Sequence, residues 1–338
     1  MPTQNLIAAV IIPVHNAAAF LPACLDAVAA QAFPAEDGFC CIMVDDASTD
    51  ESAALCDARA AQDPRFAVHH REICGGVSAA RADGVRLAQQ RGAAYLAFCD
   101  ADDLYEPNFL ASLYGAATEL EQPVACCRYD SFGADSASAH TAGGPIPAAE
   151  ALASPAHLDA LLHDHGVDYS LCNKLYRADV LTPELLDNGF AFNEDLLANW
   201  QIFSAIGGIA FLDHVLYHYR QHAQSASHRP LLPESIDEQR RAALYIREHA
   251  PEGLQQSADA FYYEKLVYLS SMILRRADAP GYYAQMNELA VGITAGLGDP
   301  NLGRNPRLPF AIKCAALATV RTPKLWRKIC RRFLKDRQ

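Results

Sequence analysis

The sequence predicts an α/β fold in which a mostly parallel sheet is flanked by helices. Four apolar runs alternate with Ala-rich segments of helical spacing, and the runs occupy residues 6–13, 39–44, 66–70 and 94–99. This alternation is typical of βαβ units, whose strands pair in parallel and are buried on both faces. With 338 residues, of which 51% are hydrophobic, the chain is long enough to bury a large core.

The helices between these strands are predicted from residue spacing and from one start signal. The Ala-rich segments lie around residues 19–30, 51–61 and 77–91. The Ser, Thr and Asp at 48–50 can accept hydrogen bonds from the free amides at the start of the second helix. The first hundred residues therefore predict four strands with three intervening helices.

The pattern changes downstream of the fourth run. VACCRYD, residues 124–130, predicts another strand, and the Gly-, Ala-, Ser- and Pro-rich stretch 131–150 predicts an excursion on the surface. From about residue 233 onward the spacing is that of helices. The α/β part is thus expected to carry a helical C-terminal extension.

The charged residues are distributed unevenly along the chain. The formal net charge is −12, but residues 304–338 hold 11 of the 28 Lys and Arg residues and only one acid, Asp336. The remainder carries 17 − 39 = −22 charges, so an acidic body precedes a basic tail. Nucleic-acid binding is not expected, because the acidic body repels phosphate and the basic residues are confined to one short segment.

The cysteines and the N-terminus predict a reduced, cytoplasmic protein. None of the 11 cysteines forms a C-x-x-C pair, and several lie in predicted strands, where a free thiol acts as a small hydrophobic side chain. No Lys or Arg precedes Arg59, so a signal peptide with a basic leader is not expected. No stretch has the length of a membrane span.

Polar clusters follow three of the predicted strands, at the strand ends where ligands gather in parallel sheets. They read PVHN, DDASTD and DADD. In the last cluster Asp100, Asp102 and Asp103 lie within four positions, and such close carboxylates repel unless a positive charge lies between them. A D-x-D at a strand end suits Mg²⁺ or Mn²⁺, which prefer oxygen ligands. The alternative is a solvated turn ahead of a helix, and Asp103 in particular is expected only to cap that helix.

Four segments, in this order and at this spacing, resemble the family 2 glycosyltransferases of the GT-A fold: AAVIIPVHN, IMVDDASTDES, GGVSAARADGVRLAQQRGAAYLAFCDADD and FNEDLLANWQIF. The usual family forms are close to V-I-I-P-x-Y-N, I-x-V-D-D-G-S-T-D, A-R-N-x-G followed by D-x-D-D, and a later E-D. The resemblance covers roughly residues 6–225. It implies a Rossmann-like GT-A sheet and the inverting transfer of a sugar from a nucleotide-sugar, usually a UDP-sugar, to an acceptor hydroxyl.

The resemblance also implies a division of the chain. Residues 1–225 would form the glycosyltransferase domain, with a nucleotide-binding half at 1–105 and an acceptor-binding half at 106–225. Residues 226–338 would form the helical C-terminal region that carries the basic tail.

Carried over position by position, the resemblance implies a donor site at the strand ends. Asp46 would accept a hydrogen bond from the uracil ring, Asp100 would face the ribose, and Asp102 would ligate the Mn²⁺ or Mg²⁺ that bridges the diphosphate. Arg81 would lie close to the nucleotide. The base and ribose pocket would be walled by Pro13, His15 and Asn16.

On the acceptor side the resemblance implies a base and a second metal ligand. Asp195 falls on the residue expected to take the proton of the acceptor hydroxyl, and Glu194 would support it or contact the acceptor. The alternative is that these acids only cap the following helix. His222, in YHYRQHAQSAS, matches a family histidine that can complete the metal shell, whereas His218 is expected to be a strand residue.

The sequence departs from the family forms at three positions. His15 replaces the usual Tyr, Ala47 replaces a frequent Gly, and Ala82 replaces the Asn of A-R-N. These changes affect contacts with the nucleotide, but none removes a carboxylate that the chemistry needs.

The leading hypothesis is a hexosyl- or N-acetylhexosaminyltransferase that extends a bacterial surface glycan such as lipopolysaccharide or capsule. Asn173 and Lys174 are candidates for contacts that select the sugar. One rival is a nucleotide-sugar-binding protein without catalysis. A nicotinamide-dependent dehydrogenase would need a G-x-G-x-x-G after the first strand, and a nucleotidyltransferase a basic, Gly-rich loop there; the sequence has neither.

The basic tail predicts an amphipathic helix with two alternative roles. KLWRKICRRFLK, residues 324–335, spaces its apolar residues by three and four and places Lys and Arg on the remaining face. One role is peripheral attachment of residues 321–338 to the anionic inner face of the cytoplasmic membrane, which suits a lipid-linked oligosaccharide acceptor. The other is packing of the apolar side on the acidic body.

Overall fold

The structure is a computed structural model, and it describes residues 6–33, 38–133, 145–163, 166–187, 189–190, 193–222, 232–276 and 279–333. The chain divides into two compact units. The first comprises Met1–Gly189 and Glu194–Ser225, and the second comprises Phe190–Asn193 and Ala226–Gln338.

The first unit is built on one nine-stranded sheet whose order is β3-β2-β1-β4-β8-β6-β9-β5, with β7 paired to β9. Its strands are β1 Ala8–Val14, β2 Phe39–Asp45, β3 Phe66–His70, β4 Tyr95–Phe98, β5 Leu104–Tyr105, β6 Val124–Gly133, β7 Glu150–Ala153, β8 Lys174–Arg177 and β9 Gly208–Gln221. The first four strands, β6 and β9 run in one direction, and β5, β7 and β8 run against them. The predicted mostly parallel sheet is thereby confirmed.

In the part of this unit that the structure describes, seven helices flank the sheet: α1 Leu21–Ala29, α2 Ser52–Gln62, α3 Val77–Gln90, α4 Phe109–Glu119, α5 Ala156–His163, α6 Pro183–Leu186 and α7 Glu194–Ala205. The first three match the predicted Ala-rich segments, and the strand predicted at 124–130 is β6. Of the predicted surface excursion at 131–150, residues 134–144 lie outside the described residues.

The turn after β4 differs from the prediction in one respect. Asp103 was a candidate cap for the following helix, but α4 begins only at Phe109, and Asp103 is fully buried. Its carboxylate accepts hydrogen bonds from the Tyr217 hydroxyl and, at 2.7 Å, from the Arg220 amide. Asp103 therefore attaches the D-x-D turn to β9, and the capping prediction is wrong because α4 starts five residues later.

The close approach of α3 to the sheet depends on a glycine. All seven residues of β1 are buried, and α3 packs across this strand. A Cβ atom at Gly84 would lie 2.3 Å from Cγ2 of Ile11, well inside van der Waals contact. The missing side chain thus lets the helix lie close to β1, and Arg81 is one turn earlier on the same helix face.

The second unit is helical: α8 Pro233–Glu248, α9 Gln255–Arg275, α10 Tyr283–Leu297, α11 Pro300–Arg304, α12 Phe310–Arg321 and α13 Pro323–Phe333. The long helix α9 lies at its centre, in contact with α8, α10, α12 and α13. Its buried side chains include Phe261, Leu266 and Ile273, so this unit has its own hydrophobic core. No helix in the described part of the chain is both long enough and apolar enough to cross a membrane.

The predicted tail helix is α13, and part of its apolar side faces inward. Cys330 is fully buried, Trp326 and Ile329 are half-buried, and α13 packs on α9 and α12. Arg331 donates to the Arg276 carbonyl at the end of α9, at 2.6 Å. This favours intramolecular packing for that side of α13; the end of the predicted stretch, Leu334 and Lys335, lies outside the described residues.

Replacing Gly84 with Ala is expected to destabilise the first unit by about 1–3 kcal/mol, because the added methyl group must displace Ile11 or the whole helix. The matched control is Gly115→Ala in α4, where a Cβ would meet nothing within 4 Å. That change should raise stability by about 0.5–1 kcal/mol through helix propensity. Urea unfolding of both variants measures the difference; equal stability of the two would contradict the role assigned to Gly84.

Candidate active site

A buried arginine joins three acids from two parts of the first unit. The Arg81 side chain, on α3, is 5% exposed. Its Nη2 donates to Oδ1 of Asp100 at 2.8 Å, and its Nη1 donates to Oδ1 of Asp195 at 3.0 Å. Oε1 of Glu194 lies 3.7 Å from the same Nη1. The structure therefore brings together four of the residues that the sequence assigned to the site, with one cation facing three carboxylates.

The local structure explains how these acids reach Arg81. Asp100 follows β4, whose buried residues fix the strand in the centre of the sheet. Glu194 and Asp195 occupy the first turn of α7, where free amides and the helix dipole favour negative charge. The alternative that these acids lie at a helix start is thus compatible with their contact to Arg81.

The burial of this cluster changes its protonation. Burial, together with the neighbouring charge of Asp195, raises the pKa of Glu194 to about 8. Burial also raises the pKa of Asp195, although Arg81 acts in the opposite direction. At neutral pH Glu194 is therefore mostly protonated, which leaves Arg81 facing the carboxylates of Asp100 and Asp195.

A loop that precedes β8 also contacts Asp195. The backbone amide of Leu171 hydrogen-bonds to the Asp195 carboxylate and stabilises its charged form. Cys172, the next residue, lies with its Sγ 3.9 Å from Nη2 of Arg81. Asn199 of α7 donates to the Tyr169 carbonyl at 3.0 Å, so the helix that carries Asp195 is also tied to this loop.

Lys174 holds the loop from inside. Its side chain is fully buried, and Nζ donates to the carbonyls of Asp168 at 2.8 Å and Ser170 at 2.5 Å and to Oδ1 of Asn173 at 2.9 Å. Asn173, also fully buried, donates to the Cys127 carbonyl at 2.6 Å. The suggestion that these two residues select the sugar is therefore wrong for this structure, because both are enclosed and bound to their own backbone.

The two predicted metal ligands lie side by side. Oδ2 of Asp102 is 2.7 Å from Nε2 of His222, which follows β9 and packs against the Phe20 ring. Burial and then the charge of Asp100 raise the pKa of Asp102, while His222 lowers it. Residues 120 positions apart in sequence thus meet at the D-x-D turn. His218, by contrast, is buried in β9 and bonds to Asp130 and Glu106, as expected of a strand residue.

Asp46 is bound by residues 71–76, a loop to which the sequence analysis assigned no role, although its two glycines open the third motif. Its carboxylate accepts from the amides of Gly75 at 2.8 Å and Gly76 at 2.7 Å and from Nη1 of Arg71 at 2.8 Å. Although burial acts to raise it, hydrogen bonds from Gly75, Cys74 and Gly76 hold the pKa of Asp46 below its usual value. The bond to uracil stays a prediction, and it requires at least one of these donors to give way.

The remaining predicted pocket residues lie at the end of β1. Pro13 is buried within the strand, whereas His15 and Asn16 are exposed beyond it. Nδ1 of His15 donates to the Asp46 carbonyl at 2.8 Å. Oδ1 of Asn16, whose φ is +51°, accepts from the Thr49 amide at 2.8 Å. These bonds hold the ends of β1 and β2 together.

Among the described residues, a single group of three potential metal ligands lies within 4.8 Å of one another: His15, Asp46 and Cys74. The hydrogen bonding does not suit a metal there. Because a carbonyl oxygen only accepts, Nδ1 of His15 must carry its proton to bond to Asp46. Arg71 already neutralises the Asp46 carboxylate. The D-x-D turn with His222 is the better candidate metal centre.

Relatives with known names cover parts of the chain. The glycosyltransferase GlyG of Streptococcus pneumoniae is 31% identical over 123 residues, which are 36% of this chain and 39% of that protein. EpsJ of Bacillus subtilis, described as an uncharacterized glycosyltransferase, is 27% identical over 248 residues, or 71% of this chain and 69% of EpsJ. The chain thus spans less than half of GlyG and about two thirds of EpsJ.

Solved structures and a family model complete the comparison. Staphylococcus aureus TarS 1–349 in complex with UDP-GlcNAc superposes with a TM-score of 0.65 at 16% identity, over 96% of this chain and 88% of that one. This likeness confirms the GT-A fold. The model of glycosyl transferase family 2 matches residues 9–182, from β1 to the start of α6. Since that match takes in more than half of the 338 residues, the chain belongs to glycosyl transferase family 2.

Proposed function

We propose that the protein is an inverting glycosyltransferase that moves a sugar from a UDP-sugar to an acceptor hydroxyl. The acceptor is a glycan or a lipid-linked molecule, and the reaction belongs to the synthesis of a bacterial cell-surface polysaccharide. The observation that carries this proposal is the contact of Arg81 with both Asp100 and Asp195. This contact joins Asp100, which was assigned to the donor side, to Asp195, which was assigned as the base. TarS, a structure of the same fold, binds UDP-GlcNAc, which supports a uridine nucleotide.

Asp195 is proposed as the general base. Its raised pKa makes it a better proton acceptor than an exposed Asp, and the Leu171 amide and Arg81 orient it. The acceptor oxygen forms a bond to C1 of the sugar and its proton passes to Asp195. The bond from C1 to the diphosphate oxygen breaks on the opposite face, and UDP leaves with the electron pair.

The donor set at the D-x-D turn fits a hard divalent cation. Asp102 and His222 are 2.7 Å apart, so a proton lies between them, and burial penalises the charge of Asp102. A cation such as Mn²⁺ would replace that proton, and carboxylate oxygen with neutral imidazole is an acceptable ligand pair for it. When bound there, the metal supplies charge neutralisation for the departing diphosphate.

The proposed organisation follows from these roles. Residues 1–105 contribute Asp46, Arg81, Asp100 and Asp102 to the donor side, and residues 106–225 contribute Glu194, Asp195 and His222. The rival, a nucleotide-sugar-binding protein without catalysis, gives no role to a carboxylate with a raised pKa beside the donor-side Asp100. A measurement of turnover distinguishes the glycosyltransferase from the binding protein.

Turnover is tested with a panel of nucleotide-sugars, with and without Mn²⁺, scored by nucleotide release. We expect release from at least one UDP-sugar by the wild type, and a loss of at least about 100-fold in Asp195→Asn, since the amide cannot accept the proton. The control is Asp213→Asn, which changes an exposed acid of β9. Equal rates in wild type and Asp195→Asn would favour the binding protein instead.

Metal dependence tests the pair at the D-x-D turn. His222→Ala should raise the Mn²⁺ concentration required for half-maximal activity by at least about tenfold, because the cation loses one ligand. Asp102→Asn should weaken Mn²⁺ binding further, since it also removes the negative charge. His214→Ala, which changes a half-buried histidine within β9, is the matched control. An unchanged Mn²⁺ requirement in His222→Ala would remove it from the metal shell.

The protonation of Glu194 is tested through stability. The unfolded side chain releases its proton near pH 4.5 and the folded one near pH 8, so the free energy of unfolding should fall as pH rises between these values. Glu194→Gln should flatten this dependence by up to about 1.4 kcal/mol per pH unit, whereas Glu51→Gln, an exposed acid, should not. Urea unfolding at several pH values measures the slope, and an unaltered slope in Glu194→Gln contradicts the buried-proton assignment.

A further inference from the structure

An apolar stripe lies on the outer face of α12. Phe310, Cys314 and Leu317 are exposed, and their spacing of four and three residues puts them on one side of the helix. Phe310 is 79% exposed and Leu317 is 50% exposed. Large apolar side chains at this exposure, aligned on one helix, are typical of a surface that meets an apolar partner.

The neighbouring helix continues this surface. Helices α12 and α13 are joined by a single residue and pack on each other. Among the described side chains of α13, Leu325 is exposed, at 57%, while Cys330 is buried against its own unit. The exposed large apolar side chains described on this pair are thus Phe310 and Leu317 on α12 and Leu325 on α13. Of the apolar residues in the predicted stretch 324–335, Leu325 is exposed and Cys330 is not.

Exposed cations accompany these apolar residues on both helices. Arg321 lies four residues after Leu317 on α12, and Lys324 and Lys328 flank Leu325 on α13. Residues 304–338 together carry 11 − 1 = +10 charges, whereas the rest of the chain carries −22. A partner of this surface must therefore accept aromatic and aliphatic side chains in its interior and present negative charge at its rim.

A two-fold dimer through this surface does not meet this requirement. In a two-fold dimer the same surface of both copies meets, so Lys324 and Lys328 would face their own equivalents. Like charges at an interface cost several kcal/mol, and no compensating acid lies in residues 304–335. A layer of anionic lipid satisfies both conditions, with acyl chains below and phosphates at the level of the cations.

We propose that α12 and α13 lie in the plane of an anionic lipid surface, with Phe310 and Leu317 inserted and the bordering Lys and Arg residues at the headgroups. This inference deepens the proposed function, because a lipid-linked acceptor lies at such a surface. It gives the helical unit a binding role of its own. Lipid binding needs no catalysis, so it can be measured whether or not sugar transfer is found.

The test is flotation of the full chain with vesicles of phosphatidylcholine, with or without about 30% phosphatidylglycerol. Wild type should float only with the anionic vesicles. Lys324→Gln/Lys328→Gln should weaken partitioning by about 30-fold, since each Lys near such a surface contributes about 1 kcal/mol. Phe310→Ser/Leu317→Ser should lower it by at least about tenfold. The matched control is Tyr283→Ser/Val291→Ser, which removes equally exposed apolar residues from α10.

Folding and self-association are controlled in parallel. All substituted side chains are exposed, so far-UV circular dichroism and the thermal midpoint should match the wild type. The proposal fails if the wild type stays unbound, if both double variants float like the wild type, or if the α10 control loses as much binding. It also fails if light scattering finds a dimer that Phe310→Ser/Leu317→Ser dissociates.

Discussion

The contact of one guanidinium with three carboxylates is the constraint on which the rest of the site depends. Without Arg81, the negative charges of Asp100 and Asp195 would repel in a largely buried setting. With it, the first turn of α7 can lie against the end of β4. The proton held by Glu194 reduces the excess negative charge further. The close approach of α3 to β1 at Gly84 positions Arg81 for this contact.

The sequence predicted the parallel strands of the sheet well because each of them appears in the sequence as an apolar run. The short strands β5, β7 and β8 have two to four residues each, too few to show a period, and they pair antiparallel with partners far away in sequence. The misassignment of Asp103 has the same origin. Its partners, Tyr217 and Arg220, lie more than a hundred residues later, so only the fold reveals them.

The residues of the candidate site could be proposed from the sequence where they belong to short motifs. Asp100, Asp102 and Asp195 follow strands or begin a helix, and the structure places Asp100 and Asp195 on Arg81 and Asp102 beside His222, while their roles stay predictions. Four donors hold Asp46, the amides of Gly75 and Gly76 and the side chains of Arg71 and Cys74, and the sequence analysis assigned none of them a role. The two adjacent glycines were the available signal, since the φ of +86° at Gly76 lies in the region that favours glycine.

Because the ammonium of Lys174 is enclosed, the loop beside Asp195 is ordered before a substrate binds. The loop that supplies the Leu171 amide is fixed by hydrogen bonds from Nζ to Asp168 and Ser170. Its conformational entropy is therefore lost when the chain folds, before any substrate arrives. An acceptor that reaches Asp195 then meets a carboxylate already aligned, and its binding energy is not consumed in ordering the loop.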